Sequence, residues 1–345
     1  MFWRSLWAGV LLSLIPVTGQ AGTATANLTV NLTQVGVVPP VAANAGFTTL
    51  AANYDFSSPS YADPNTNWLD CNDSDNSKIW HLGSPGVPAG NTFGGCAIHQ
   101  KFDSVAGVNV INVHLDVNTN PCNSWGAYCS TSMETRNENG FVGTATYPNK
   151  YYETVVRNEG AFSDTTFNSP QGVWEWNDCA SGCLGIEGDV VELQYDSNGY
   201  GNDGVINWGH GNCSSGDCFG AWTSYCCNNP NVPPGWSSTA YHKYGMLTTS
   251  DGATAITMCW FIDDVLQSCS DVPNVQGYEF TERKFLIATA YAAGGDGQGT
   301  GNGPGIIESR DFDVQYIHIY SCGQWPTQMC NGSTRVTNGN LTYWH

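Results

Sequence analysis

The chain has 345 residues and is acidic, with 11 Lys plus Arg against 30 Asp plus Glu and a formal net charge of −19 at pH 7. So few cations argue against a nucleic-acid partner and against a sulfated or uronate polymer, which calls for basic residues in its cleft, so a neutral glycan is the easier partner. Forty glycines, sixteen prolines and only 12% charged residues describe many strands and turns rather than long helices.

Residues 1–21 read as a secretory signal: Arg4 leads, an apolar run passes through Leu11, Leu12, Leu14 and Ile15, and Gly19-Gln20-Ala21 supplies a small-residue exit. The run is too short to span a bilayer. The expectation is therefore a secreted, extracellular, unanchored monomer whose mature chain starts at Gly22. Fourteen cysteines fit an oxidising compartment and allow seven disulfides. Short spacings such as Cys122 to Cys129, Cys179 to Cys183 and Cys322 to Cys330 suit loop staples, while Cys213, Cys218, Cys226 and Cys227 near His210 offer zinc as the competing reading. Asn-x-Ser/Thr sequons stand at Asn27, Asn31, Asn72, Asn212, Asn331 and Asn340, of use only in a host that glycosylates.

Residues 22–45, broken by Pro39-Pro40, read as a tail or first edge strand, and one domain follows over 46–322 with a C-terminal tail at 323–345. Glycine and proline between 83 and 95 predict surface loops. Strands are predicted at 108–117, on both sides of Arg136, at 151–157 and at 172–176. Next comes Glu187-Gly188-Asp189-Val190-Val191-Glu192, three carboxylates inside an aliphatic run. Side chains alternate along a strand, so Glu187 and Asp189 share a face and Glu192 falls on the other. One extra residue in a bulge near Val190-Val191 removes the conflict and puts all three on one face. A turn over 196–203 leads to a hairpin partner at 204–210, and 209–236 reads as a long excursion pinned by disulfides. Further strands are predicted at 241–247, 255–263, 284–292 and 312–320, with a glycine-rich loop over 294–305. No internal repeat and no second core are evident.

Paired carboxylates on one wall of a cleft are the equipment of glycoside hydrolysis. From Asn53 to Tyr320 the chain resembles glycoside hydrolase family 16, the laminarinase-like enzymes. The resemblance is carried by the Glu-x-Asp-x-x-Glu motif at 187–192, by 128–136 and 151–157, by Gly172-Val173-Trp174-Glu175-Trp176, by His242-x-Tyr244-Gly245, by Trp260-Phe261-Ile262-Asp263 and by the strand ending at Tyr320. It implies an all-β, concanavalin-type jelly roll of two curved antiparallel sheets with a substrate cleft on the concave face. It further implies a secreted endo-β-glucanase, acting on β-1,3- or mixed-linkage glucan by retaining double displacement. Glu187 would be the nucleophile, Glu192 the acid/base and Asp189 the assisting carboxylate between them, with the reacting pair about 5 Å apart.

Trp174, Trp176 and Trp208 are candidates for stacking on sugar faces, Arg136 for hydrogen bonds to hydroxyls and His210 for the cleft rim, each with a structural role as the alternative. His242 reads as structural. The chain departs from the family pattern at Gly188, where a bulky aliphatic residue is usual, and at Gln315, where an Asp can bind structural calcium; no cofactor is expected, and calcium is left open. Two other readings stay open: a non-catalytic carbohydrate-binding or wall-associated protein on the same fold, and a transglycosylase using the same carboxylates.

Overall fold

The structure, a computed structural model, describes residues 38–70, 75, 77–83, 98–115, 128–137, 140–141, 149–159, 171–177, 186–196, 201–213, 216–226, 235–250, 255–273, 284–293, 310–322, 335–338 and 341–344. The chain divides after residue 35, and every described residue belongs to the second unit, residues 36–345. The signal at 1–21, the loop at 294–305, the sequons other than Asn212, and Cys71, Cys96, Cys122, Cys179, Cys183, Cys227 and Cys330 lie outside the described residues.

In chain order the first strands are β1 (Thr49–Asp55), β2 (Leu69–Asp70), β3 (Trp80–Gly83), β4 (Ile98–Asp103), β5 (Val108–Leu115), β6 (Tyr128–Glu134), β7 (Arg136–Asn137) and β8 (Gly140–Phe141). Then come β9 (Lys150–Asn158), β10 (Gln171–Asn177), β11 (Ile186–Asp196), β12 (Gly201–Cys213), β13 (Gly216–Cys226) and β14 (His242–Ser250). The series ends with β15 (Ala255–Ile262), β16 (Val265–Pro273), β17 (Lys284–Ala293), β18 (Arg310–Ser321), β19 (Arg335–Asn338) and β20 (Leu341–Trp344).

They form two eight-stranded sheets. The back sheet runs β16-β15-β14-β9-β18-β5-β4, with β1 also on β18; the front sheet runs β13-β12-β11-β10-β17-β6-β3-β2. Among the described pairings only β2 with β3 is parallel. This is the all-β jelly-roll sandwich that the sequence led us to expect.

Alternation builds the core. On β9, Tyr152 and Val156 face the front sheet and join a cluster with Tyr54, Phe56, Trp80, Met133, Val173, Val191, Tyr244, Met246 and Trp260, all buried. Alternate β9 residues face outward, where Tyr151 packs with Leu247, Phe261 and Tyr320 in a second cluster. That cluster is covered by a short helix, α1 (Pro40–Asn44), whose Val41 and Ala42 are buried in it. The stretch expected as a tail or edge strand thus ends in a helical turn. Proline at its first turn explains the switch, since its fixed φ and missing N–H suit that position. Gly245 admits the outer cluster's packing: a Cβ there would lie 2.2 Å from the Tyr151 hydroxyl.

Two further expectations change. Residues 209–236 are no irregular excursion for most of their length, because β12 continues to Cys213 and pairs with β13 in a long hairpin. Residues 335–338 and 341–344 of the C-terminal tail pair antiparallel as β19 and β20. Asp263 and Asp264 both have positive φ, 49° and 67°, as a two-residue type I′ turn between β15 and β16 requires. His242 bonds Asp263 at 2.8 Å and so braces this turn.

Cys259 and Cys269 stand opposite one another on β15 and β16 and are disulfide-bonded. Cross-linking two residues 10 apart restricts the unfolded chain by about 2–3 kcal/mol. Replacing both cysteines by alanine should lower the unfolding free energy by about that amount in denaturant titrations, with the slope altered as the unfolded chain expands.

His318 is stacked on Tyr316, with ring centroids 4.2 Å apart. Burial lowers its pKa from 6.5 to about 4, against the weaker pull of Asp55. The unfolded chain therefore takes up a proton near pH 6.5 that the folded chain refuses until near pH 4, so stability is full above 6.5 and is lost as pH falls toward 4. Between pH 6.5 and 4 the parent should lose on the order of 2 kcal/mol more stability than His318→Phe, measured by chemical unfolding at each pH. Asp313, whose raised pKa acts in the opposite sense, is present in both proteins and drops out of the difference.

Candidate active site

The carboxylates are positioned by the register of β10, β11 and β12. Gly172 pairs with Glu192 and Val173 with Val191, but Trp174 pairs with Asp189, so Val190 is the extra residue on β11. The pairing with β12 repeats it: four steps from Gly188 to Glu192 oppose three from Gly209 to Ile206. The bulge thus falls at Val190, where the parity conflict required one. Because directly opposed residues share a face, Glu192, Asp189 and Glu187 stand with Gly172, Trp174 and Trp176 on one face of the sheet. Val173, Glu175, Gly188 and Val191 stand on the other, toward the core.

A bulge leaves backbone groups without their ladder partners. Here the back sheet supplies a donor: the Trp260 indole Nε1–H donates to the Asp189 carbonyl at 2.9 Å, fully inside the core. Val190 and Val191 are 1% and 0% exposed, so apolar burial holds the same segment from below. Asp189 is 2% exposed, whereas Glu192 is half-buried. That difference suits an internal carboxylate beside one that solvent and ligand reach.

Register also orders the rest of the face. One row reads Phe285, Trp176, Glu187, His210 and Gly220; the next reads His81, Glu134, Ile287, Trp174 and Asp189; the third reads Gly83, Ser132, Thr289, Gly172, Glu192, Ile206 and Ser224. The third row, beside that of Trp174, is made of small residues up to Glu192. Gly172 is required there, since a Cβ would lie 2.5 Å from the Val191 carbonyl oxygen and 3.3 Å from Trp174. Trp174 itself is 4% exposed and packs as part of the floor. Trp176 and Trp208 stand on the acid face by register, and His210 stands directly opposite Glu187. Arg136 lies off the sheet, in the β7–β8 ribbon opposite Phe141.

Two residues of this face were not singled out from sequence. Trp222 on β13 is opposite Trp208, and Glu134 lies in the Asp189 row. The signal for Trp222 is its hairpin register, which the expectation of a disulfide-pinned excursion over 209–236 conceals.

Among the described residues, one cluster of carboxylates gathers around Asp313. Asp103, Glu159 and Asp313 bring ligand oxygens within 4.8 Å of one another on the back sheet. However, Arg157 lies 2.7 Å from Asp103 and 3.3 Å from Asp313, and Lys101 bonds both Glu159 and Asp313. Burial raises the Asp313 carboxyl to about 6 in spite of Asn112 and Lys101 beside it. A divalent ion would have to displace two side-chain cations from these oxygens, so the residues do not fit a calcium site. Gln315 is the extra residue of a bulge between β18 and β9, and its carbonyl accepts the Phe56 N–H at 3.0 Å.

No family model matches the sequence, and no curated protein matches it. Among solved structures, the fold is similar to the GlcNAcα1-4Gal-releasing endo-β-galactosidase from Clostridium perfringens, at 12% identity and a TM-score of 0.51, covering 79% of this chain and 62% of that one. The chain thus spans less than two thirds of that protein's length. Laminarinase from Flavobacterium sp. UMI-01 matches at 14% identity with a TM-score of 0.45, covering 79% of this chain and 100% of that one. The laminarinase catalytic domain from Thermotoga maritima MSB8 matches at 16% identity with a TM-score of 0.46, covering 79% and 98%. The last two scores are below 0.5 and carry no weight; the first establishes a shared jelly-roll fold.

Proposed function

We propose that the chain is a secreted, monomeric glycoside hydrolase of the family 16, laminarinase-like type, cleaving a neutral β-glucan within the polymer with retention. The observation that carries this reading is the register shift at Val190, which brings Glu187, Asp189 and Glu192 onto one face. A carbohydrate-binding protein gains nothing from three acids gathered there at the cost of a broken ladder.

Glu187 attacks the anomeric carbon while Glu192 protonates the departing glycosidic oxygen; water activated by the Glu192 carboxylate then displaces Glu187 from the glycosyl intermediate. Asp189, buried between them in sequence, hydrogen-bonds the nucleophile and couples to its ionisation. Trp176, Trp208 and Trp222, whose register positions lie on the acid side of the sheet, are the positions proposed to stack on pyranose faces, with His210 opposite the nucleophile in register and Arg136 in the β7–β8 ribbon as the candidates for hydroxyl contacts. Trp174 serves as floor.

The test is a reducing-sugar assay on laminarin, lichenan, xyloglucan, agarose and cellulose. The parent should cleave a β-glucan, and Glu187→Gln should lower kcat by at least about 1,000-fold. Activity that survives the substitution would reject the nucleophile assignment, and glycan binding without cleavage would favour a binding protein. Proton NMR of the first product should show the β anomer; an initial α anomer would overturn retention. Trp208→Ala should raise KM about three- to tenfold with kcat nearly unchanged, as loss of one stacking contact predicts.

A further inference from the structure

Behind the acid face lies a buried ion pair that the hydrolytic reading does not use. Glu175 on β10 and Lys150 on β9 are both 0% exposed, and Lys150 Nζ lies 2.7 Å from Glu175 Oε2. The Tyr152 hydroxyl donates to the same oxygen at 2.7 Å. The pair bridges the two sheets through the middle of an apolar core.

Its position relative to the carboxylate strand is the informative part. Glu175 is register-paired with Gly188, the residue between Glu187 and Asp189. A Cβ on Gly188 would lie 3.1 Å from Glu175 Oε1, 3.2 Å from Glu175 Cγ and 3.1 Å from the Met246 methyl. The missing side chain of Gly188 and the side chain of Glu175 therefore share one volume.

A buried ion pair rarely adds stability over apolar side chains of the same size, because desolvation offsets the attraction. What it adds is uniqueness: Lys150 and Tyr152 bond the Glu175 carboxylate at one place only, and a one-residue slip of β10 would carry it to the opposite face. On this basis, and resting on the hydrolase reading, we infer that Glu175, anchored by Lys150 and Tyr152, is a positioning residue for the segment Glu187-Gly188-Asp189. Its side chain, seated against Gly188, sets the distance of the acid-bearing strand from the back sheet and so the placement of the nucleophile and its partner. Lys150 serves as the counter-ion that keeps Glu175 inside.

The experiment is a cycle between Gly188→Ala and the paired replacement Lys150→Met with Glu175→Ala, each assayed on the polymer the parent cleaves and across pH. Gly188→Ala alone should lower kcat at least tenfold with KM changed less than threefold, and should shift the acidic limb of the pH profile. In the paired background, where the shared volume is vacated, the same substitution should change kcat less than threefold and leave the limb in place. An equal factor in both backgrounds, or a loss confined to KM, would overturn the inference. Should Gly188→Ala fail to fold, folding of the combined variant would support the shared volume, and failure of both would count against it.

A second readout needs no substrate: carboxyl carbon NMR of glutamate-labelled protein should show the Glu187 and Glu192 titrations displaced in Gly188→Ala and restored in the combined variant. Restoration without cleavage of any polymer would uphold the positioning role and sink the hydrolase reading. Cleavage by the parent with no coupling between the substitutions would do the reverse.

Discussion

The hydrogen bond from Trp260 to the Asp189 carbonyl is the contact on which the acid face depends. Inserting Val190 into β11 breaks the ladder on both sides, and a buried carbonyl left without a donor costs about 1–3 kcal/mol. The donor comes from β15 in the opposite sheet, so closing the sandwich stabilises the bulge. Formation of the carboxylate array is thereby tied to formation of the core. A front sheet without its partner would have reason to relax the bulge and send Glu192 to the other side.

The scarce cations tell a consistent story. Lys101, Arg157 and Lys243 are engaged with carboxylates of the back sheet, and Lys150 with Glu175 between the sheets, so four of the eleven basic residues serve internal charge balance. Positive charge spent in this way is withdrawn from the front face. A face with four acids and a run of aromatic positions suits an uncharged polymer held by stacking and hydroxyl contacts.

Much of this was legible in the sequence, for identifiable reasons. The bulge could be placed because three carboxylates at spacings of two and three conflict with a period of two, and only one extra residue resolves it. The strands were legible where β-branched and aromatic residues alternate, as in β5 and β9. Glycine hid the rest: the end of β12 and β13 carry Gly211, Gly216 and Gly220, which suit an irregular excursion, and only the β12–β13 pairing shows them as the edge of the sheet. Glu175 is inconspicuous in the sequence because tryptophans flank it on either side. Two flanking residues on the acid face oblige the one between them to point inward, and an inward carboxylate calls for a buried cation. Gly188, which looked like a weak point of the strand, is the vacancy that such a carboxylate fills.

The cover that α1 places over the outer cluster bears on how the protein is handled. A fragment beginning at residue 46, the boundary that the hydrophobic pattern suggests, would keep every strand yet strip Val41, Ala42 and Ala45 from Tyr151, Leu247, Phe261 and Tyr320. The uncovered aromatic patch would invite self-association, as exposed apolar patches do. Starting the recombinant protein ahead of residue 38 keeps that cover in place, and solubility on expression then depends on the eight residues 38–45, which contribute nothing to either sheet.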